Sequence, residues 1–217
     1  MTKFYFVRHG QTEWNLERRF QGGNGDSELL PSSYADMKKV GLFLREIQFE
    51  HIYASPIRRA RITAINIAKQ LKYQPKLSLR SNLGEVGLGE WEGKLVANVK
   101  ERYPASFDNY RNHLDQFEGK EFGGEGYTKA EKRFVRFIKA IAQKFPESNI
   151  LIVSHGMELS FGLNGLLKKP RMSIRERGGL SNTSTTILST NDGENFVVED
   201  WNNTSYLNKR QDDSTTI

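Results

Sequence analysis

Cysteine is absent from this 217-residue chain. That excludes disulfide staples and thiolate metal sites, and it permits a reducing, cytoplasmic setting. Long apolar runs are absent too: none approaches the ~20 residues that span a bilayer. The chain opens on a strand rather than on a basic segment followed by an apolar core, so no secretory signal is visible and no membrane partner is expected. There is no Gly-x-x-x-x-Gly-Lys-Ser/Thr loop, which rules out a P-loop nucleotide site. No cluster of carboxylates has metal-ligand spacing, so neither metal nor cofactor is expected. Repeats and low-complexity tracts are missing as well. The one aperiodic, polar stretch is residues 204–217, expected to be a disordered tail.

What the chain does have is a basic balance and a clear α/β rhythm. Lys and Arg number 32 against 26 Asp and Glu, a net charge of +6, which favours anionic partners, phosphate esters and nucleic acid alike. The cations are scattered, and no aromatic-and-basic ladder of the single-strand-binding kind runs along the chain, so nucleic acid is disfavoured. Short β-prone runs cover 3–7, 52–54, 76–79, 150–153, 185–189 and 195–201. Between them, apolar residues at helical spacing predict helices over 33–47, 128–145 and 157–167. A further helix is expected to start at Ser55-Pro56, with Ser as N-cap and Pro at the first position. Residues 82–123 are the least regular stretch, a partly helical insertion expected to lie over the site. The alternation predicts a single domain over 1–203, a three-layer α/β/α sandwich with a mostly parallel central sheet.

Two of the four histidines share one local setting. Lys3–Val7 runs into Arg8-His9-Gly10, and Asn149–Val153 runs into Ser154-His155-Gly156. In open α/β sheets, ligands bind at the carboxyl ends of the strands, so two histidines at two strand ends point to one pocket. A lone histidine after a strand is more often a surface or capping residue; the shared setting argues against that here. Arg8, His9, Asn15, Arg59, Glu85 and His155 are the residues available to that pocket. Two arginines and two histidines around one point suit a phosphoryl group, because Arg binds its oxygens in bidentate fashion. Gly10 and Gly156 would let a ligand approach the backbone, and the helix after Gly156 would add amide donors. The bland readings are that Arg58 and Arg59 are solvated cations, that Asn15 caps a turn, and that Trp14, Trp91 and Trp201 are core or pocket wall.

Arg8-His9-Gly10-Gln11-Thr12-Glu13-Trp14-Asn15, followed by Phe20-Gln21-Gly22, closely resembles the signature of the histidine phosphatase superfamily, the phosphoglycerate-mutase-like proteins. Ser55–Ala60, Leu83–Gly93, Val153–Gly156 and Asn182–Ser184 agree with its further motifs in order and spacing. The resemblance implies a phosphoglycerate-mutase-like fold and a phosphomonoesterase working through phosphohistidine on a small phosphorylated metabolite, as a monomer or homodimer. His9 would be the nucleophile, its other ring nitrogen donating to a backbone carbonyl that fixes the tautomer. Arg8, Arg59 and His155 would hold the equatorial oxygens, with Asn15 as a neutral donor. Glu85 would be the general acid and then the base, with Glu90 and Glu92 as rivals. A dianionic phosphate beside it would favour its protonated form. Thr12, Gln21, Gly22 and Gly156 would line the phosphate and substrate side. Arg59 is preferred to Arg58 because the family's arginine directly precedes the alanine.

Three departures from the family pattern bear on the substrate. The loop after Gln21-Gly22 is one residue longer than usual, and it lacks the Pro-Leu-Thr that normally follows Asp26. The family's Gly-Glu-Ser reads Gly124-Glu125-Gly126, and both segments are expected beside the leaving group. The secreted acid-phosphatase branch is disfavoured, since Arg-x-Pro does not follow Arg8-His9-Gly10. A cofactor-dependent phosphoglycerate mutase is the alternative within the family, and a non-catalytic phosphate- or RNA-binding protein the alternative outside enzymes.

Overall fold

Strand β1 (Thr2–Arg8) explains the layers by itself, because a strand sends successive side chains to opposite faces. In the computed structural model, which describes residues 1–207, Phe4 and Phe6 enter one core with Ile150, Ile152, Phe134, Leu159 and Leu163. Tyr5 and Val7 enter a second core, with Leu151, Val153, Val40, Ala60 and Ala64. Both faces are therefore buried. That is why the runs Phe4–Val7 and Ile150–Val153 are apolar throughout rather than alternating.

The other strands are β2 (Phe49–Ala54), β3 (Lys76–Leu79), β4 (Asn149–Ser154), β5 (Thr185–Thr190) and β6 (Phe196–Asn203). They make one six-stranded sheet in the order β3-β2-β4-β1-β5-β6. Pairings β2–β3, β2–β4 and β1–β4 are parallel, and β1–β5 and β5–β6 antiparallel. After the single-turn α1 (Glu13–Leu16), helices α2 (Pro31–Phe43) and α3 (Arg58–Ala68) cover one face, while α6 (Tyr127–Lys144) and α7 (Gly156–Leu166) cover the other. This is the expected three-layer α/β/α sandwich. Among the described residues no helix is long and apolar enough to cross a membrane.

Two local expectations change. Helix α3 begins at Arg58 rather than at Ser55, and its N-cap Ile57 makes no side-chain cap bond. The stretch from Ser81 to Phe122 adds detail to the partly helical insertion. It carries α4 (Val96–Arg102) and α5 (Pro104–Asn112), and a core of its own around Trp91, Tyr110, Phe117 and Phe122. The expected tail starts later, because Ser205–Leu207 forms a short 3₁₀ turn with Leu207 buried and Tyr206 stacked on Phe43. The rest of that expected tail, 208–217, lies outside the described residues.

Candidate active site

The register of β1 against β4 brings the two histidines together. Arg8 pairs with Ser154, so the next residue of each strand, His9 and His155, leaves the sheet at the same level on neighbouring strands. The His9 amide donates to the Ser154 carbonyl at 3.0 Å, and the two imidazole centroids lie 5.2 Å apart. His9 Nδ1 bonds the Gly10 carbonyl at 2.8 Å, and a carbonyl can only accept, so Nδ1 carries the proton. Nε2 is then left with its lone pair, and Arg59 Nε donates to it at 3.3 Å. Burial, reinforced by Arg59 and Arg8, holds His9 well below the usual imidazole value, so the ring is neutral.

Arg59 is as buried as any core leucine, at 1% exposure, while Arg58 beside it is exposed and pairs with Glu28. Its guanidinium is held by the Gly22 carbonyl at 2.9 Å, the Gly25 carbonyl at 2.8 Å and Asp26 at 3.1 Å. That 22–26 loop is gathered in turn by Glu92. Its carboxylate accepts from the amides of Gly23 at 3.1 Å, Asn24 at 2.9 Å and Leu88 at 2.9 Å, and from Gly25. Arg8 donates to the Leu180 carbonyl at 2.5 Å, and burial pushes it down to about 10, still cationic at neutral pH. His155 Nε2 meets Ser55 Oγ at 2.7 Å. Ser55 Oγ also accepts the Ile57 amide at 3.2 Å, so it ties the ring to the start of the next turn; the other ring nitrogen is Nδ1. That atom is buried with no hydrogen-bond partner. Burial and the neighbouring cations Arg59 and Arg8 keep this ring neutral as well.

Glu85 sits across the N-terminus of α7. Its carboxylate accepts from the amides of Val86 and Glu158 at 2.9 Å each, and from Met157 at 3.3 Å. The helix-start donors expected to meet a ligand are thus occupied by the Glu85 side chain. Of the rivals, Glu90 is bound to the hydroxyl of Tyr103 at 2.7 Å on the surface, and Glu92 is committed to the loop. Arg8, His9, Asn15, Gln21, Gly22, Arg59, Glu85 and Gly156 all line one cavity of about 80 Å³. At ~10–15 Å³ per water-sized group this is about five to eight such groups, a phosphoryl group with a compact leaving group.

Several expected roles shift. His155 is fully buried and does not line the cavity, and neither does the fully buried Thr12. Thr12 forms a capping box with Asn15 and accepts from Gln21 Nε2. Asn15 both caps the turn and lines the cavity: its Oδ1 takes the Thr12 amide at 3.1 Å, which leaves its amide nitrogen as the donor for the cavity. Gly10 is closely packed, since a Cβ there would come within 2.5 Å of Met37 Cε and 3.0 Å of Ser33 Cβ. A Cβ on Gly156 would stand 3.2 Å from the Arg8 guanidinium. Glu125, expected near the leaving group, instead binds Arg133 at 3.0 Å behind Glu85. Sequence reading missed Ser55, Asp26 and the loop role of Glu92. It also missed Asn182, whose amide donates to the His9 carbonyl at 2.9 Å. Only the motif context of Ser55 and Asn182 hinted at them.

Comparison with known proteins agrees with this geometry. The chain is 28% identical to phosphoglycerate mutase-like protein 4 of Arabidopsis thaliana, covering 93% of this chain and 85% of that one. It is 27% identical to phosphoserine phosphatase 1 of Hydrogenobacter thermophilus, over 92% of each. Among solved structures, a phosphoserine phosphatase from Entamoeba histolytica in complex with 3-phosphoglyceric acid superposes with a TM-score of 0.80 at 29% identity, covering 95% of this chain and 100% of that one. A family model matches residues 4–204, and the chain belongs to the histidine phosphatase superfamily, branch 1.

Proposed function

We propose that the chain hydrolyses a small phosphomonoester, with His9 as the nucleophile. The observation that carries this reading is the pair of hydrogen bonds on the His9 ring, which puts the proton on Nδ1 and leaves the lone pair on Nε2, where the Arg59 guanidinium meets it. Nε2 attacks phosphorus, the P–O ester bond breaks, and Glu85 gives its proton to the leaving oxygen. Water then attacks the phosphohistidine, Glu85 takes a proton from it, and inorganic phosphate departs. Arg8 and Arg59 hold the equatorial oxygens, where the transition-state charge is spread, and His155, whose ring lies 5.2 Å from that of His9, backs the same group. Asn15 adds a neutral donor. The cations supply the charge compensation, so turnover is expected to persist in a chelator. A cytoplasmic setting suits a chain without cysteine.

The test is a broad panel of phosphomonoesters, followed by quenching in mid-turnover. A protein-bound phosphate that is labile in acid and stable in base is the expected product, and a base-labile one would reject histidine as its carrier. Isomerisation of 3-phosphoglycerate faster than hydrolysis of simple esters would replace the phosphatase by a mutase. Phosphate or RNA binding with no turnover on any ester would point to a non-catalytic protein instead.

A further inference from the structure

Residues 181–184 form a β-turn closed by the Ser184 amide on the Ser181 carbonyl at 3.1 Å, and its third residue, Thr183, has a φ of 58°. That left-handed position suits Gly or Asn, and a β-branched residue there is strained. In this conformation the Thr183 amide donates to the Arg8 carbonyl at 3.0 Å, while the Asn182 side-chain amide donates to the His9 carbonyl at 2.9 Å. The turn therefore holds the peptide groups on both sides of the His9 Cα. A strained residue persists only where its surroundings hold it. The Thr183 hydroxyl goes to the preceding Asn182 carbonyl at 2.6 Å, and its own carbonyl goes to Tyr206, 23 residues on. A carbonyl only accepts, so the Tyr206 hydroxyl donates to it at 2.8 Å, and Thr185 Oγ1 donates to the phenol oxygen at 2.7 Å. Burial pushes this phenol above its ordinary value, so the donated proton stays in place. The ring is anchored from outside the turn. It stacks on Phe43 of α2 at 4.6 Å, and the next residue, Leu207, is buried in the second core with its carbonyl on Lys39 at 3.2 Å.

We propose that Tyr206 is a positioning residue for His9: its hydroxyl holds Thr183 in the left-handed conformation, and the turn in that conformation holds the backbone that carries the imidazole. The inference rests on the reading of His9 as the nucleophile and adds a residue outside the cavity to the machinery. The chain of contacts is short and continuous, from α2 through Phe43 to Tyr206, from Tyr206 to Thr183, and from the turn to the carbonyls of Arg8 and His9. On the other side the His9 amide is held by Ser154, and the Gly10 amide by Thr63 Oγ1 at 3.0 Å. Release of Thr183 leaves those two bonds intact and frees the His9 peptide on one side alone, so the ring swings while the sheet stays paired.

The test removes the hydroxyl and then removes the need for it. Tyr206→Phe keeps the stacked ring and should slow hydrolysis of a simple aryl phosphate by about 10- to 100-fold, chiefly through kcat, the size expected when a reacting group is displaced by about 1 Å. Thr183→Gly placed in that background should restore most of kcat, because glycine adopts a positive φ without a brace. A tyrosine that only anchors the chain end would lower the urea midpoint and leave kcat alone, and glycine at 183 would then restore nothing. Proton NMR of the His9 Nδ1–H, assigned by its loss in His9→Ala, reads the same coupling without substrate. That signal should shift or broaden in Tyr206→Phe and return in the double variant, whether or not the chain hydrolyses esters, so failure of the phosphatase reading stays distinguishable. An Nδ1–H signal unmoved by Tyr206→Phe, or a loss of kcat that glycine at 183 leaves in place, would overturn the positioning role.

Discussion

At the scale of single residues, the proposed reaction divides the site into groups that would react and groups that hold them. His9→Ala should remove the phosphoenzyme and nearly all turnover while leaving the melting curve cooperative; full activity would move the nucleophile elsewhere. Glu85→Gln should depend on the leaving group. An alkyl alcohol leaves as a strongly basic alkoxide and needs the proton, so loss on the order of 10²–10⁴ is expected. A nitrophenol leaves without help, so phosphoenzyme formation from its ester should suffer far less. Equal losses with both substrates would take the acid role from Glu85. The neutral state of His9 has its own signature. Because burial and two guanidinium groups hold it below 6.5, phosphoenzyme formation should persist below that pH and fade only on further acidification.

At the scale of elements, the less regular segments are those that place the cavity's polar side chains. The 22–26 loop has no core of its own, yet its carbonyls fix Arg59, and Glu92 is what fixes the loop. Glu92→Ala should therefore lower kcat/KM by about 10²-fold, the usual result of a displacement of about 1 Å in a positioning group, with little change in thermal stability. A large drop in Tm with unchanged activity would make Glu92 merely structural. Helix packing offers the converse case. Gly162 lets α7 approach α6, and a Cβ there would stand 2.1 Å from the Phe134 ring. Gly162→Ala should cost about 1–3 kcal/mol by overpacking, seen as a lower urea midpoint with the substrate preference intact. Behind α7, Arg133 gathers Glu125 and the fully buried Glu158. Burial outweighs that cation, and the neighbouring Glu85 and Glu125 add to it, so Glu158 holds its proton well above the usual carboxylate range.

At the scale of the whole molecule, these buried groups tie stability to pH. His9 and His155 are neutral when folded, with values well below the ordinary 6.5. Below about pH 6.5 the unfolded chain takes up protons that the folded chain refuses, so stability falls as pH falls. Glu158 works in the opposite direction. Its folded value lies above 4.5, so the stability it lends is lost as pH rises from there. Two imidazoles outweigh one carboxyl between these limits, and a net loss of about 1 kcal/mol per pH unit is expected from pH 6.5 toward 5, since one proton per unit is worth 1.36 kcal/mol. Urea unfolding across that range checks it, and His155→Asn should flatten the slope; stability that rises on acidification would contradict buried neutral imidazoles.

Local chemistry alone determined the element types, the layered architecture and the members of the motif set. Doubly buried strands must be apolar throughout, and amphipathic helices must repeat every three to four residues, so both patterns are written in the chain. The pairing of His9 with His155 was legible for the same reason, since each follows a strand directly. What only the tertiary structure decided is which polar groups answer one another across long separations. Ser55 reads locally as a helix cap, yet it serves the ring of His155. Thr12 reads as a ligand contact, yet it organises Asn15 and Gln21. Glu92 competes with Glu85 on paper, and the fold assigns one to the loop and the other to the start of α7. A carboxylate has no periodicity and no preferred neighbour in sequence; its role is set by the amides that packing brings to it.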